Sequence, residues 1–168
     1  MRVLAFSDSH GDRGRLREAV EQALRKGPAD VCVHCGDGAR DLAAVEAILR
    51  DRNPETRVYA VRGNGDIGDF ALPTLELFEV NGVRMVAVHG HLLGVKSELD
   101  TLVSFAQVRE ARVAFFGHTH KPFLEAVRGI TLLNPGSIAY QLRGNTAYGQ
   151  VLVEADGRVR ADLIPWAE

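Results

Sequence analysis

The stretch Met1-Arg2-Val3-Leu4-Ala5-Phe6-Ser7-Asp8-Ser9-His10 decides the fold, because a short β-like apolar run breaks at once into a polar segment carrying an acid and an imidazole. From Arg13 to Arg25, residues Leu16, Ala19, Val20, Ala23 and Leu24 recur at helical i, i+3, i+4 spacing, so a strand feeds a helix. The unit then repeats. Asp30 to Cys35 has the strand pattern, and Ala39 to Arg50 sets Leu42, Val45, Ile48 and Leu49 on one helical face before Asn53-Pro54 breaks the chain. A third strand, Arg57 to Val61, runs into Gly63-Asn64-Gly65-Asp66. Three strands joined by two helical crossovers imply a parallel sheet, since parallel neighbours need a long return connection.

The middle of the chain changes character. Thr74 to Val80 and Val83 to His89 flank Asn81-Gly82, the pair best suited to the positive φ angles of a tight hairpin. Ser97-Glu98-Leu99-Asp100 has capping-box spacing and predicts a helix through Gln107, followed by a strand over Val113 to Phe116. From Phe123 onward short strands alternate with the turn residues Gly129, Pro135-Gly136 and Asp156-Gly157, which predicts a second, largely antiparallel sheet. Helices early and extra strands late suggest two sheets packed face to face with helices outside.

Composition bounds the function. At 168 residues the expectation is one domain over 1–168, and 46% apolar with 25% charged residues is ordinary for a globular protein. Twenty basic against 22 acidic side chains leave a net charge of -2, which argues against nucleic acid or an anionic membrane as partner. Lysine occurs only as Lys26, Lys96 and Lys121. The opening apolar run is too short for a signal peptide or a membrane span, so a cytoplasmic protein is expected. Cys32 and Cys35 form the one C-x-x-C pair and read as ordinary strand residues, and His34 between them reads as a packing residue.

What ends each strand is more informative. Asp8 and His10 follow the first strand, Asp37 the second, Asn64 the third, His89 and His91 the hairpin strand, and His118 and His120 the strand after the third helix. In open α/β sheets the carboxyl ends of strands lie along one crevice, so residues a hundred positions apart can converge there. Asp, His and a side-chain amide supply oxygen and nitrogen ligands without thiolate, a set that suits manganese, iron, nickel or zinc. So many candidate ligands exceed the needs of one ion, and two ions sharing a carboxylate would acidify a bridging water and clamp a phosphoryl group. Arg62, beside Gly63, offers a planar fork that can touch a phosphate. Asn134-Pro135-Gly136-Ser137 reads as a turn that shapes the wall of the site.

The series Asp8-Ser9-His10, Gly36-Asp37, Gly63-Asn64-x-Asp66, His89-Gly90-His91 and Gly117-His118-Thr119-His120 resembles the calcineurin-like metallophosphoesterase family. The short length, Gly90 between two histidines and the Asn134 to Ser137 turn are similar to its small cap-less phosphodiesterase branch, the YfcE type. The resemblance implies a four-layer α/β/β/α sandwich with two facing mixed β-sheets, and a metal-dependent phosphodiesterase acting on small phosphodiesters through a two-metal-activated hydroxide. It implies that Asp8, His10, Asp37 and His120 hold one metal and that Asp37, Asn64, His89 and His118 hold the other, with Asp37 as the bridge. Manganese is the leading ion, with nickel, iron or zinc as alternatives.

In the same frame His91 lies beside the ligands as a support, a substrate contact or a proton donor, and Asp66 orients Asn64 or a nearby histidine. One departure matters: larger members carry a histidine after the asparagine, where this chain has Gly65, so strong phosphomonoesterase activity is not implied. The family fold also serves as a non-catalytic protein-binding scaffold in a retromer subunit; retention of Asp37 and Asn64 favours the enzyme. Exposed strands of the second sheet make a homodimer or higher homo-oligomer an expectation.

Overall fold

The computed structural model describes residues 1–139 and 147–166. Its first sheet has the order β10-β9-β1-β2-β3, formed by β1 (Arg2–Phe6), β2 (Val31–His34), β3 (Arg57–Ala60), β9 (Ala147–Val153) and β10 (Val159–Pro165). Its second sheet has the order β4-β5-β6-β8-β7, formed by β4 (Leu75–Val80), β5 (Val83–Val88), β6 (Val113–Phe115), β7 (Pro122–Val127) and β8 (Ile130–Pro135). Helices α1 (Arg13–Arg25) and α2 (Leu42–Arg52) connect the parallel strands β1, β2 and β3, and α3 (Asp100–Val108) connects β5 to its parallel neighbour β6.

Alternation along the strands builds three apolar layers. Val3 and Ala5 of β1, Val31 and Val33 of β2, Met85 and Ala87 of β5 and Val113 and Phe115 of β6 point between the sheets. Leu4, Phe6 and Cys32 point outward onto Leu16, Val20 and Ala23 of α1 and Val45 and Leu49 of α2. Val86, Ala114 and Leu132 point outward onto Leu102, Val103 and Ala106 of α3. Strands covered on both faces read as continuous apolar runs rather than alternating ones, which is why the first strand looks unbroken in sequence. The four-layer α/β/β/α sandwich of two mixed sheets is therefore the observed architecture.

Two expectations change. The strands beyond Phe123 do not form one antiparallel sheet: β7 and β8 join the second sheet, while β9 and β10 return to the first, β9 pairing antiparallel with β1. The second sheet is itself mixed, with β5, β6 and β8 parallel. The capping box at Ser97 does not form either. Gly94, in the left-handed region, accepts the Ser97 and Glu98 amides at 2.8 and 3.3 Å, so the chain turns there and α3 starts only at Asp100. The hairpin holds as read, with Asn81 at φ 47° and Gly82 at φ 74°.

Candidate metal centre

Both sheets end at the same edge. Loops after β1, β2 and β3 deliver Asp8, His10, Asp37 and Asn64, and those after β5 and β6 deliver His89, His91, His118 and His120. The loops are held in unusual backbone conformations. Among the described residues eight non-glycine positions have positive φ, and five of them are Asp8, His10, Asp37, His118 and His120. The left-handed region costs an L-residue roughly 1–2 kcal/mol, so on the order of 5 kcal/mol or more is concentrated in this one edge, comparable to the net stability of a small domain. Such strain persists only where the surroundings over-determine it, and it gathers at functional sites. The other three lie at turns: Asn81 and Arg128 precede hairpin glycines, and Glu110 follows the end of α3.

Hydrogen bonds supply the over-determination. Asp8 N donates to Gly36 O at 3.0 Å and His10 N to Asp37 O at 2.8 Å, extending the β1–β2 pairing into the loops. The two sheets are stitched at the seam, where His118 N donates to Asp8 Oδ2 at 3.2 Å and His89 Nδ1 lies 2.8 Å from Cys35 O. The Cys35 carbonyl fixes His89 with its proton on Nδ1 and turns Nε2 into the site. Glycines at the seam leave room for this. A Cβ on Gly36 would stand 2.7 Å from His89 Nδ1, and one on Gly117 would overlap Ser7 Oγ and approach Asp8 Oδ2 to 2.6 Å.

The ligand atoms fall into two groups. Asp8, His10 and His120 offer atoms mutually within 4.8 Å, and so do Asp8, Asp37 and His89. His10 Nε2 and His120 Nε2 are 3.2 Å apart, and Asp8 Oδ1 is 3.1 Å from His120 Nε2 and 3.7 Å from His10 Nε2. Asp37 Oδ2 lies between the groups, 3.8 Å from His10 Nε2 and 3.4 Å from His89 Nε2. Asn64 Oδ1 lies 3.2 Å from His89 Nε2. The His118 ring is edge-on to His89, with centroids 5.0 Å apart.

A divalent metal fits this donor set. Asp8 Oδ1 is buried and receives no aligned hydrogen bond, although the carboxyl is fully enclosed and imidazole nitrogens face it. Oxygen and nitrogen ligands about 2.0–2.2 Å from an ion stand roughly 3–4 Å from one another, the spacing found here. The thiols take no part: burial raises Cys32 to about 12 and Cys35 well above its usual value, and both pack as apolar residues.

The electrostatics follow from the same contacts. Burial pushes the Asp8 carboxyl up, but the His10, His120 and His89 imidazoles and the Ser7 hydroxyl outweigh it and hold it well below the usual carboxylate range. Asp37 behaves likewise, with burial opposed by His89 and the Gly65 amide. The facing Asp8 carboxylate raises His10, and for His89 the Asp37 and Asp8 carboxylates overcome desolvation and raise it too. Desolvation lowers His118 to about 4, helped by the Lys96 ammonium and His89.

The remaining sequence candidates are placed as follows. Asp66 does not orient Asn64 or a histidine; its Oδ2 accepts Asp37 N at 2.9 Å and Gly63 N at 2.8 Å, and its Oδ1 accepts Ala39 N at 2.9 Å. Both carboxylate oxygens accept from loop amides, so it positions the Asp37 backbone. His91 lies beside the ligands, its ring 5.3 Å from that of His89, with a buried Nδ1 that has no hydrogen-bond partner. The Arg62 guanidinium stacks 5.0 Å over the Phe70 ring. Asn134 Nδ2 donates to Gly117 O at 2.9 Å and to Thr119 Oγ1 at 3.0 Å, and Ser137 Oγ donates to Asp8 O at 2.8 Å, so that turn ties loops of both sheets together.

Two supports were not apparent from the sequence. Asp41 is buried and accepts Ser9 Oγ at 2.7 Å and Gly11 N at 2.9 Å, holding the Asp8–His10 loop from behind. His34 is buried as expected, and its Nδ1 also accepts Gly36 N at 3.3 Å. Asp41 reads as an ordinary acid at the start of a predicted helix; its place just after Gly36-Asp37-Gly38 was the available signal.

Known proteins place this edge in context. Residues 1–158 match the calcineurin-like phosphoesterase superfamily domain. The probable metallophosphoesterase YsnB of Bacillus subtilis is 36% identical over 162 residues, covering 93% of this chain and 86% of that protein. Phosphodiesterase YfcE of Escherichia coli K12 is 27% identical over 168 residues, covering 90% and 87%. The structure of wild-type Vps29 from Entamoeba histolytica, complexed with Zn2+, superposes with a TM-score of 0.72 at 22% identity over 98% of each chain, a likeness of fold. A sequence match across nearly the whole chain and a strained loop edge that gathers Asp, Asn and His side chains lead to one assignment: the chain belongs to the calcineurin-like phosphoesterase superfamily.

Proposed function

We propose that this chain, acting as one domain over residues 1–168, is a metal-dependent phosphodiesterase of small diesters. The observation that carries the reading is the pair of ligand groups that share Asp8 and are spanned by Asp37 Oδ2. In it Asp8, His10, Asp37 and His120 hold one divalent ion, and Asp37, Asn64, His89 and His118 hold the second. Two such ions, with manganese the first candidate, supply charge neutralisation at a phosphoryl group and acidify water at neutral pH.

The protein's own groups orient and exclude. Asp66 and Asp41 fix the loops so that the carboxylates need not reorganise when substrate arrives. His91 meets the substrate as a neutral imidazole, because burial and His89 lower its pKa, and it serves as a hydrogen-bond partner at the phosphoryl oxygens. Gly65 places only a backbone amide beside Asp37, donating to Asp37 Oδ1 at 2.6 Å. No side chain at that position can protonate a leaving group, and general acid assistance is commonly worth about 10²- to 10⁴-fold. The rate therefore depends steeply on how good the leaving group is.

The test is hydrolysis of a series of aryl phosphodiesters of graded leaving-group pKa by metal-stripped protein, with manganese, nickel, zinc, iron or magnesium restored singly. Activity that returns with a transition metal and falls steeply as the leaving group worsens is the expected result. Metal uptake without hydrolysis of any diester would overturn it in favour of the non-catalytic scaffold.

A further inference from the structure

Two of the cavities at the candidate metal centre differ in character. On the side of the first sheet, a cavity of about 370 Å³ is lined by Asp37, Asp41, Asp66 and Asp69 with Arg40, and it takes in the candidate ligands His10 and Asp37 themselves. On the other side lies a groove of about 540 Å³ in which no carboxylate takes part. Its floor is apolar: Phe116 and Phe123 meet edge to face with centroids 6.1 Å apart, and Leu99 adjoins them. Lys96 and Lys121 line the groove. They are two of the three lysines in the chain, and among the described residues neither ammonium forms an ion pair. Thr119, between the candidate ligands His118 and His120, forms part of the same wall, so the groove opens directly beside the metal centre.

We infer that this groove binds a flat apolar group that carries its own negative charge, and that in the diesterase proposed above it receives one arm of the substrate. An apolar floor favours an aromatic ring through burial and edge contacts. Two ammonium groups without acidic partners favour an anion on that ring. The catalytic meaning rests on the diesterase reading; the binding does not.

Two measurements separate the two. Metal-free protein is titrated with 2-naphthalenesulfonate and with the neutral 2-naphthalenesulfonamide, for the unaltered chain and for Lys96→Met, Lys121→Met and the double variant. Both lysines are exposed, and methionine keeps most of the apolar stem, so the fold is retained. The sulfonate is expected to bind more tightly, each substitution to weaken it about two- to fivefold, the size of an exposed ion pair, and the double variant to bind both probes alike. Equal binding of the probes by the unaltered chain, or a preference that survives in the double variant, overturns the inference.

The second measurement is the ratio of kcat/KM for 4-nitrophenyl 4-sulfophenyl phosphate over 4-nitrophenyl phenyl phosphate, with metal restored. It should fall in the double variant, through KM. An unchanged ratio removes the substrate arm from the groove. If no diester is hydrolysed with any metal, the proposed function fails while the naphthalene titration still decides whether the groove binds anions.

Discussion

The two sheets contribute to the metal centre in different ways. The first presents its carboxylates from short loops after parallel strands, and those loops are locked from behind by buried or half-buried acids: Asp66 on the Asp37 loop and Asp41 on the Asp8 loop. The second presents imidazoles from loops with fewer such supports. His89 is fixed by Cys35 O and fully buried, but His91, His118 and His120 are only half-buried. The candidate carboxylate ligands are thus built in advance, where desolvating them would otherwise be most costly, while candidate imidazole ligands close the site from the opposite sheet. The seam between the sheets is the point where either contribution can be broken.

The largest effect is expected on the carboxylate side. Asp37→Ala removes the oxygen that stands 3.8 Å from His10 Nε2 and 3.4 Å from His89 Nε2, and the loss of hydrolysis should exceed the 10–100-fold typical of residues that only support a ligand. Steady-state kinetics with restored metal, together with metal content by mass spectrometry, check this; activity within tenfold of the parent would remove Asp37 from the bridging role. Next comes the seam. Gly36 has φ 98°, and an added Cβ meets His89 Nδ1 at 2.7 Å and Gly63 N at 2.9 Å. Gly36→Ala should cost on the order of 2–5 kcal/mol from left-handed strain and overpacking together. Denaturant unfolding measures it, and a loss under 1 kcal/mol would mean that the sheets slide apart freely at this point.

How far the sequence revealed this division can be argued from particular residues. The residue types at strand ends were legible because βα loops leave polar residues unmistakably stranded after apolar runs: Asp8, Asp37, Asn64, His89 and His118 were all located that way. The hairpin at Asn81-Gly82 was legible for the same local reason. What local pattern cannot show is which strand pairs with which, and so it puts β9 and β10 in the second sheet; the pairing of β9 with β1, which carries β10 along, spans nearly the whole chain. Asp66 stands in the Gly63-Asn64-x-Asp66 series and Asp41 just after Gly36-Asp37-Gly38, but which groups of other loops each one accepts is set by the packing, and spacing cannot show it. Ser97 shows the converse, a local signal that loses to a neighbouring turn closed by Gly94.

Asp66 makes the comparison sharper at intermediate size. Asp66→Asn keeps the shape but offers one acceptor oxygen where three loop amides now donate to two. Metal affinity or activity should fall about 10–100-fold with little change in how His118 or His120 variants behave, because the damage stays on the first sheet's side. Isothermal titration with manganese reports the affinity. A fall no larger than that of an exposed surface acid such as Asp156→Asn would show that the Asp37 loop holds itself.

The smallest expected effect concerns proton uptake behind the acidic loops. His34 is 2% exposed and is held in one tautomer: Nδ1 accepts the Gly36 amide at 3.3 Å, and Nε2 faces Ser9 Oγ at 3.4 Å, whose own proton goes to Asp41. A second proton would have to sit on Nδ1, against the Gly36 N–H, and burial already lowers the pKa in the folded chain. The unfolded chain takes up that proton near pH 6.5. The unfolded state then binds more protons than the folded one, so the His34 contribution to stability is full above pH 6.5 and declines as the pH falls below it. In His34→Gln that contribution is gone: the variant starts less stable at pH 7.5, and its melting temperature falls less between pH 6.5 and 5 than that of the parent. Thermal unfolding of the two metal-free proteins over that range, compared as slopes, cancels the opposite contributions of His10 and His89, which both proteins retain. Parallel slopes would mean that His34 takes up its proton in the folded state, and that the loop behind Asp37 yields to it.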